Sequence, residues 1–588
     1  MSYMTVPNET ESKESRNGGG GDGVNLRLDP RWYPPLFLAL ILILLLVSLI
    51  PRSAFQWLER EAPRAEIRPL RTIPDTDVNP YGANFFLQHE AEPWKVEKTL
   101  QMARDAQLGW AKQHFPWEDI EIRKGKFWDD RLNKSTWEKY DRIVDTARRM
   151  NIEIIARLDR PPTWARQDNS VPEAPPDNFN DYADFVGAVV EHYKGRIQYY
   201  QIWNEPNIYP EWGNRAIDPD AYVRLLKVAS ARARSVDPNV RILSAPLAQT
   251  LEIGPRNLSE LRFLEAMYRA GARESFDILF ANGYGFDLPP NDPPNPDVLN
   301  FQRVLLVREI MTRNDDGAKP VWFNEFGWNA APETFPIDKL LWKRVTETQQ
   351  AEWAVQAIEH ARANWEWAGV FCIWYFRQSG QIPPERADYF FRMVDVGFTP
   401  RQIYYQVKKA TESIGTAQPG AFQESNPAVV FQGAWIQGAA MDSSGGLARV
   451  SQAIGDSATI TFHGSDISIL TRRGPDAPTI YVTIDGHEAN RLPSDRHGRS
   501  YVDLYSATTQ PKSLITIADQ LSGRVHILRI AVGPANVTAR GPVFDLDGFV
   551  IGEARAPEIL GLPLLPAITG LTVLACGVAL YAWRRRAR

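Results

Sequence analysis

From about residue 76 to 412, short apolar runs alternate with longer stretches whose apolar positions recur every three or four residues. The runs YGANFFLQ (81–88), LGWAKQHF (108–115), IEIIARLD (152–159), IQYYQIWN (197–204), VRILSAPL (240–247), FDILFANGY (276–284), PVWFNEFGW (320–328) and GVFCIWYF (369–376) predict strands. STWEKYDRIVDTARRM, YADFVGAVVEHYK, DAYVRLLKVASARARSV and TQQAEWAVQAIEHARAN predict helices between them. Strands that alternate with helices belong to a parallel α/β sheet. Eight such units close into a (β/α)₈ TIM barrel, whose sites lie at the C-terminal strand ends. A doubly wound open sheet is the alternative, but it brings a glycine fingerprint after its first strand, and none is present.

Between about 420 and 555 the period changes to two. ATITFHG, DISILTRRG, TIYVTIDG, SYVDLYSA, RVHILRIAVG and VFDLDGFVIG, separated by Gly, Asp and Pro turns, predict an antiparallel β-sandwich of jelly-roll type. The Ala-, Gly- and Ser-bearing stretch 414–445 reads as a loose link between the two domains.

The flanks read differently. Residues 34–50, PPLFLALILILLLVSLI, are uncharged and entered through Trp32 and Tyr33, which predicts a transmembrane helix over 34–51. A cleaved signal peptide is the alternative reading. The Gly-rich, partly acidic tail 1–33 and the lack of an A-x-A site speak for an uncleaved anchor. A second apolar run covers 559–583 and stops at RRRAR, residues 584–588. Arginines are retained on the cytoplasmic side, so two spans put both termini inside and everything between them outside. The Arg-, Pro- and Glu-rich segment 52–75 reads as a stalk.

Composition alters this picture little. A chain of 588 residues is too long for one core. A net charge of −5 provides no basic footprint for nucleic acid. Cys372 and Cys576 are the two cysteines, and the second lies in the terminal apolar run, so no disulfide is expected. No spacing suggests a structural metal or a nucleotide, and no cofactor is expected.

The chemistry sits in two carboxylates. Glu205, in IWNEPN, ends the fourth predicted strand, and Glu325, in VWFNEFGW, ends the seventh. Strands four and seven lie three apart around an eight-membered ring, so their ends face each other across the mouth. Cleavage of a glycosidic bond needs such a pair: one carboxylic acid protonates the leaving oxygen, and one carboxylate attacks the anomeric carbon or activates water. A lone glutamate at a strand end is ordinarily a solvated rim residue or a salt-bridge partner. Two of them, each preceded by Asn and framed by aromatics, point to catalysis.

IWNEPN followed by WFNEFGW resembles clan A of the glycoside hydrolases, the retaining (β/α)₈ enzymes, over about residues 80–405. The region around Glu205 is nearest the β-xylosidase and α-iduronidase-like branch and the cellulase-like family. The resemblance implies Glu205 as general acid/base and Glu325 as nucleophile. It implies that Asn204 binds a sugar hydroxyl, that Tyr284 orients Glu325 and that Trp374 floors the subsite of the cleaved sugar. The chain departs from the pattern at Lys112-Gln113, where many members carry arginine. It departs again at ANGY (281–284), which has no histidine two residues before Tyr284. Lys112 and Trp164 are further substrate-binding candidates, and Trp117, Arg160, Trp212 and Trp328 further rim candidates.

The sandwich resembles galactose-binding-like carbohydrate modules through TIYVTIDG and GFVIG. Trp435, Tyr481, Tyr501 and Tyr505 are its candidate sugar-facing aromatics, and a purely structural spacer is an equal reading. Asp485, Asp503, Asp545 and Asp547 lie where Asp serves turns, which gives no reason to expect a metal. The expected partner is a poly- or oligosaccharide. A transglycosylase acting on surface glycan and a catalytically silent carbohydrate-binding protein are the rival functions. Protease added to intact cells is expected to leave the RRRAR tail protected. A tail cut from outside would reverse the topology.

Overall fold

The computed structural model describes residues 70–340, 342–439, 442–535 and 542–553, with the backbone of 558–559 and 562–563. Residues Arg64–Ala554 form one compact unit that holds both predicted domains.

Eight strands build the first domain: β1 Tyr81–Phe85, β2 Trp110–Pro116, β3 Glu153–Asp159, β4 Tyr199–Ile202, β5 Arg241–Leu243, β6 Leu279–Phe286, β7 Val321–Trp328 and β8 Ala368–Ile373. All neighbours are parallel, in the order β5-β4-β3-β2-β1-β8-β7-β6. A parallel bridge from Leu243 to Ile278, just before β6, closes the ring. Each strand is followed by a helix: α1 Pro93–Asp105, α2 Glu138–Arg149, α3 Phe179–His192, α4 Pro219–Val236, α5 Glu260–Arg269, α6 Val304–Arg313, α7 Glu347–Asn364 and α8 Gln402–Ala410. Their starts follow capping chemistry. Asp218 accepts the Ala221 N–H with Pro219 in the first turn of α4, and Thr346 and Gln349 form a reciprocal capping box on α7. β5 is shorter than the predicted 240–247, because Ser244 turns its hydroxyl to the Phe280 N–H and Ala245 gives its own N–H to Tyr222.

The barrel is filled from the bottom by aromatics. Trp110 of β2, Tyr199 of β4 and Trp322 of β7 meet with ring centroids 4.8–5.1 Å apart. Barrels usually fill this layer with branched aliphatics, so here part of the tryptophan content is interior packing. The indole N–H groups are satisfied by the chain that enters below: Trp322 donates to Asp75 O and Trp110 to Asn79 O. Gly369 makes room for this, since a Cβ there would lie 2.1 Å from the Trp322 Nε1.

The predicted stalk is therefore shorter than 52–75. Arg71 is buried and donates to the carbonyls of Arg362, Glu366 and Ala368, and Ile73 and Asp75 are buried with it. Burying an unpaired guanidinium is prohibitive, and the free carbonyls at the barrel base supply its partners. Residues 70–75 belong to the barrel.

The second domain is a β-sandwich. Its strands are β9 Gly420–Gln423, β10 Val429–Gln432, β11 Ile436–Ala439, β12 Leu447–Ser451, β13 Ser457–Gly464, β14 Asp466–Arg473, β15 Pro478–Ile484, β16 Tyr501–Asp503, β17 Gln510–Ala518, β18 Arg524–Ala535 and β19 Phe544–Gly552. One sheet runs β11-β12-β19-β14-β17 with β9 on β19. The other runs β10-β13-β18-β15 with β16 on β15. The pairs are antiparallel.

The link between the domains is tight, not loose. Asp77 accepts the Gln423 N–H at 2.9 Å and the Asn426 amide at 3.1 Å, and lies 3.4 Å from Arg362. Gln423 also donates to Arg71 O, and Ser425 to Asp77 O. The sandwich thus docks on the base of the barrel.

Of the two predicted spans, 34–51 lies outside the described residues, as does most of 559–583. The start of the second is extended, with Glu558–Ile559 paired to Leu562–Pro563. Among the described residues, no helix is long and apolar enough to cross a membrane.

Asp77→Ala removes a buried carboxylate that serves three groups, at a cost on the order of 3 kcal/mol. Calorimetry should show a lower first transition, with the sandwich melting apart from the barrel. An unchanged single transition would mean that the seam contributes nothing.

Candidate active site

The upper barrel is polar because every second residue of its strands points inward. Lys112 and His114 on β2, Arg157 and Asp159 on β3, and Asn282 and Tyr284 on β6 follow this spacing: His114 and Arg157 bond Asp159, Lys112 and Tyr284 reach Glu325, and Asn282 reaches Glu205.

On β7 the spacing is broken. Ala281 pairs with Phe323 but Asn282 with Glu325, so β7 carries one extra residue, a β-bulge at Asn324. The bulge turns two consecutive side chains inward. Asn324 donates to Asn282 Oδ1 at 2.8 Å, and Glu325 takes one donor on each oxygen: Lys112 Nζ on Oε1 at 3.1 Å and Tyr284 OH on Oε2 at 2.9 Å. Tyr284 is held in turn by its N–H, which donates to Gln249 Oε1 at 2.7 Å.

Beyond β4 the chain takes left-handed turns at two non-glycine residues, with φ of 72° at Trp203 and 36° at Glu205. Such backbone costs roughly 1–3 kcal/mol per residue and persists only where neighbours hold it. Here Trp203 swings outward among Tyr182 and Trp212, with its indole on Glu211 O. The Glu205 N–H is fixed on Pro246 O at 3.1 Å. Glu205 receives the Asn282 amide N–H on Oε1. It keeps a partly exposed face and is otherwise hemmed in by protein.

The two carboxyls therefore differ. Glu325 sits between an ammonium and a hydroxyl, one on each oxygen. Burial, with the like charges of Glu325 and Glu211 near it, raises the Glu205 carboxyl to about 8. Burial also pulls the Lys112 ammonium below its ordinary value and pushes the Tyr284 hydroxyl well up.

A third acid stands beside them. Glu211 lies 3.7 Å from Arg157, accepts from Asn204, and is raised by burial to about 7. Arg157 also pairs with Asp159 at 2.6 Å, whose carboxyl is held low by Arg157 and His114 against the pull of its own burial. Asn204 is buried, its Oδ1 accepting from Gln201 at 3.3 Å.

Of the expected site residues, Glu205, Glu325, Lys112 and Tyr284 meet within this polar layer, and Asn204 joins them through Glu211. Trp374 follows β8 and stands edge-on to Phe86 with centroids 5.6 Å apart, partly exposed. Trp164 is also partly exposed, sits edge-on to the buried Trp117 and gives its N–H to Glu121 O at 3.1 Å. Trp117, Trp212 and Trp328 are buried in the helix layer, because the β/α loops fold their large apolar rings back onto the helices. Arg160 is bound by Glu118 and Glu173.

Sequence reading missed Asn282, Asn324, Arg157, Asp159 and Glu211. For Asn282, Arg157 and Asp159 the available signal was polar residues at alternate positions of otherwise apolar strands; Asn324 on the bulge and Glu211 beyond β4 carried no such signal. Cys372 is buried, its thiol pushed up to about 12 by desolvation.

In the sandwich, Trp435 packs on Phe431 and Phe544, and Tyr481 lies opposite Tyr501 under the Arg499 guanidinium. Tyr505 is exposed. Asp485 binds His526 and the Ile527 N–H, Asp503 the Tyr505 N–H, Asp545 Arg472, and Asp547 Ser444. Among the described residues no acidic, His or Cys group is arranged for a metal ion.

No known family profile matches the chain, and no curated protein matches it. Solved structures similar to it include a family 39 glycoside hydrolase from Bacteroides cellulosilyticus WH2, 17% identical over 78% of this chain and 81% of that one, TM-score 0.44. A monomeric β-xylosidase from Caulobacter crescentus CB15 is 12% identical over 80% and 98%, TM-score 0.42. A GH30 endoxylanase from Clostridium papyrosolvens C71 is 11% identical over 80% and 100%, TM-score 0.39. The functional reading rests on the site's own geometry.

A carboxyl whose folded pKa lies above its unfolded value supports stability below the unfolded pKa and loses that support as pH rises through the folded one. Glu205→Gln should therefore raise Tm relative to the parent increasingly from about pH 4.5 to 8, and by a constant amount above that. A gap in Tm that does not change with pH would contradict the raised carboxyl.

Proposed function

We propose that the chain is a retaining glycoside hydrolase that cleaves O-glycosidic bonds of a poly- or oligosaccharide by double displacement. The observation that carries this is the division of labour between two carboxyls at one barrel mouth. Glu325 is oriented by Lys112 and Tyr284, one donor on each oxygen, and the Glu205 carboxyl is raised to about 8. Glycosidases need one group of each kind.

In the first step a Glu325 oxygen bonds to the anomeric carbon while the bond to the leaving oxygen breaks. Glu205 gives its proton to that oxygen, and the freed alcohol departs. Glu205 is then a carboxylate and takes a proton from water. The water oxygen bonds to the anomeric carbon, the ester to Glu325 breaks, and both glutamates return to their starting states. Two inversions leave configuration retained. Asn204, beside Glu211, serves a sugar hydroxyl, and Trp374 offers its partly exposed face to the ring.

Anchoring at a membrane, facing outward, is part of the same proposal. Its support is the uncharged run 34–50, the apolar run within 559–583, and the arginines that follow.

Assays on aryl glycosides and polysaccharides would identify the sugar, and chain lengthening among the products would mark transglycosylation. Glu205→Ala should lose on the order of 10² to 10⁴ in rate on poor leaving groups. It should lose far less on activated ones, with azide restoring turnover. Glu325→Ala should fail on all substrates. Equal loss on both classes without azide rescue would remove the assigned roles. For poor leaving groups, kcat/KM should decline above about pH 8, and Glu211→Gln should move that decline to lower pH by removing a like charge. A limb unmoved by Glu211→Gln would separate Glu211 from the acid.

A further inference from the structure

An amide chain runs across the barrel beneath Glu205. Asn84 of β1 donates to the backbone carbonyl of Asn324 at 2.9 Å. The Asn324 side chain donates to Asn282 Oδ1 at 2.8 Å, and Asn282 donates to Glu205 Oε1. All three asparagines are buried. Sequence reading had marked position 282 only for lacking a histidine.

An asparagine amide can present either end, so what matters is what holds its orientation. With Asn324 Nδ2 on Asn282 Oδ1, the other end of Asn282 must face Glu205 as a donor. The inverted arrangement would turn the Asn282 carbonyl to Glu205 and its N–H to the Asn324 oxygen. It would then leave the Asn324 N–H group without an acceptor. The observed arrangement leaves only Asn324 Oδ1 without a partner. A buried carbonyl oxygen goes unsatisfied at less cost than a buried N–H.

We propose that Asn282 and Asn324 act together as positioning residues for the catalytic proton of Glu205. Oε1 accepts the Asn282 N–H and has no room for a proton on that side, so the transferable proton resides on Oε2. When Glu205 gives that proton up, the same N–H stays on the carboxylate, supporting the state that activates water. Asn324 never touches Glu205; its part is to prevent Asn282 from turning over. This inference rests on the acid/base reading of Glu205.

The charged and titratable groups that face Glu205 are Glu325 on β7, Glu211 after β4, Arg157 on β3, Lys112 on β2 and Tyr284 on β6. None is altered by changing the two asparagines, so a shift in the Glu205 midpoint reads the amides.

The test is an infrared pH titration of the full-length protein, isolating Glu205 by subtracting the spectrum of Glu205→Gln. Asn282→Leu removes a donor to the carboxylate and should raise the midpoint by about one pH unit or more, as for loss of a hydrogen bond to a charged group. Asn324→Leu, which does not touch Glu205, should raise it in the same direction by freeing Asn282 to invert. If Asn282 accepted from the protonated acid instead, its loss would lower the midpoint, and that result overturns the proposal. A midpoint unmoved by Asn324→Leu overturns the part given to Asn324. Should Asn282→Leu fail to fold, Asn324→Leu carries the test alone. In kinetics, both variants should move the alkaline limb for poor leaving groups upward, opposite to Glu211→Gln. The titration needs no substrate, so a wrong asparagine assignment and a wrong glycosidase reading give different results. Shifted midpoints with no sugar cleaved would sink only the latter.

Discussion

The contact between the Lys112 ammonium and Glu325 is the constraint on which the site depends. Both groups are buried at the top of the barrel, 3.1 Å apart. The pair gives the ammonium's hydrogen bond to one of two carboxyls and leaves the other only its more distant field. Glu205 is left with an amide for a partner and a negative neighbour across the mouth, which is why burial keeps it protonated. The asymmetry of the proposed reaction is already present in the resting protein as an unequal sharing of positive charge.

That arrangement requires precise backbone on two strands. The bulge in β7 lets Asn324 and Glu325 both face the interior, where a regular strand would turn one of them into the helix layer. The left-handed residues after β4 turn Trp203 outward and Glu205 inward. Beyond β4 the left-handed Trp203 is held by packing among rings.

How much of this was legible follows from what each signal encodes. The eight strands and the helices between them were readable because their apolar periods are long and regular. The two glutamates were readable only as a pair, each after Asn and framed by aromatics, since a lone acid at a strand end ordinarily has a bland explanation. The partners were not. Asn282, Arg157 and Glu211 come together only through the closure of the ring, which no local period reports. For the tryptophans the packing reading, the commoner one for this residue, holds: Trp117, Trp212 and Trp328 lie close in sequence to the rim but pack onto the helices. The seam at Asp77 was missed because Gly, Ala and Ser composition suggests slack, whereas Gln423, Ser425 and Asn426 were there to hold a buried carboxylate.

The position of that seam has a practical consequence. The described chain enters at the barrel base, where Arg71 O accepts from Gln423, and leaves along β19, where Ile551 lies opposite Gly420 on the strand that carries Gln423. Entrance and exit thus lie on the side away from the mouth. A support attached directly at the described entrance near residue 70 or exit near residue 553 would leave the cleft facing the bulk solution, out of the path of a long polymer.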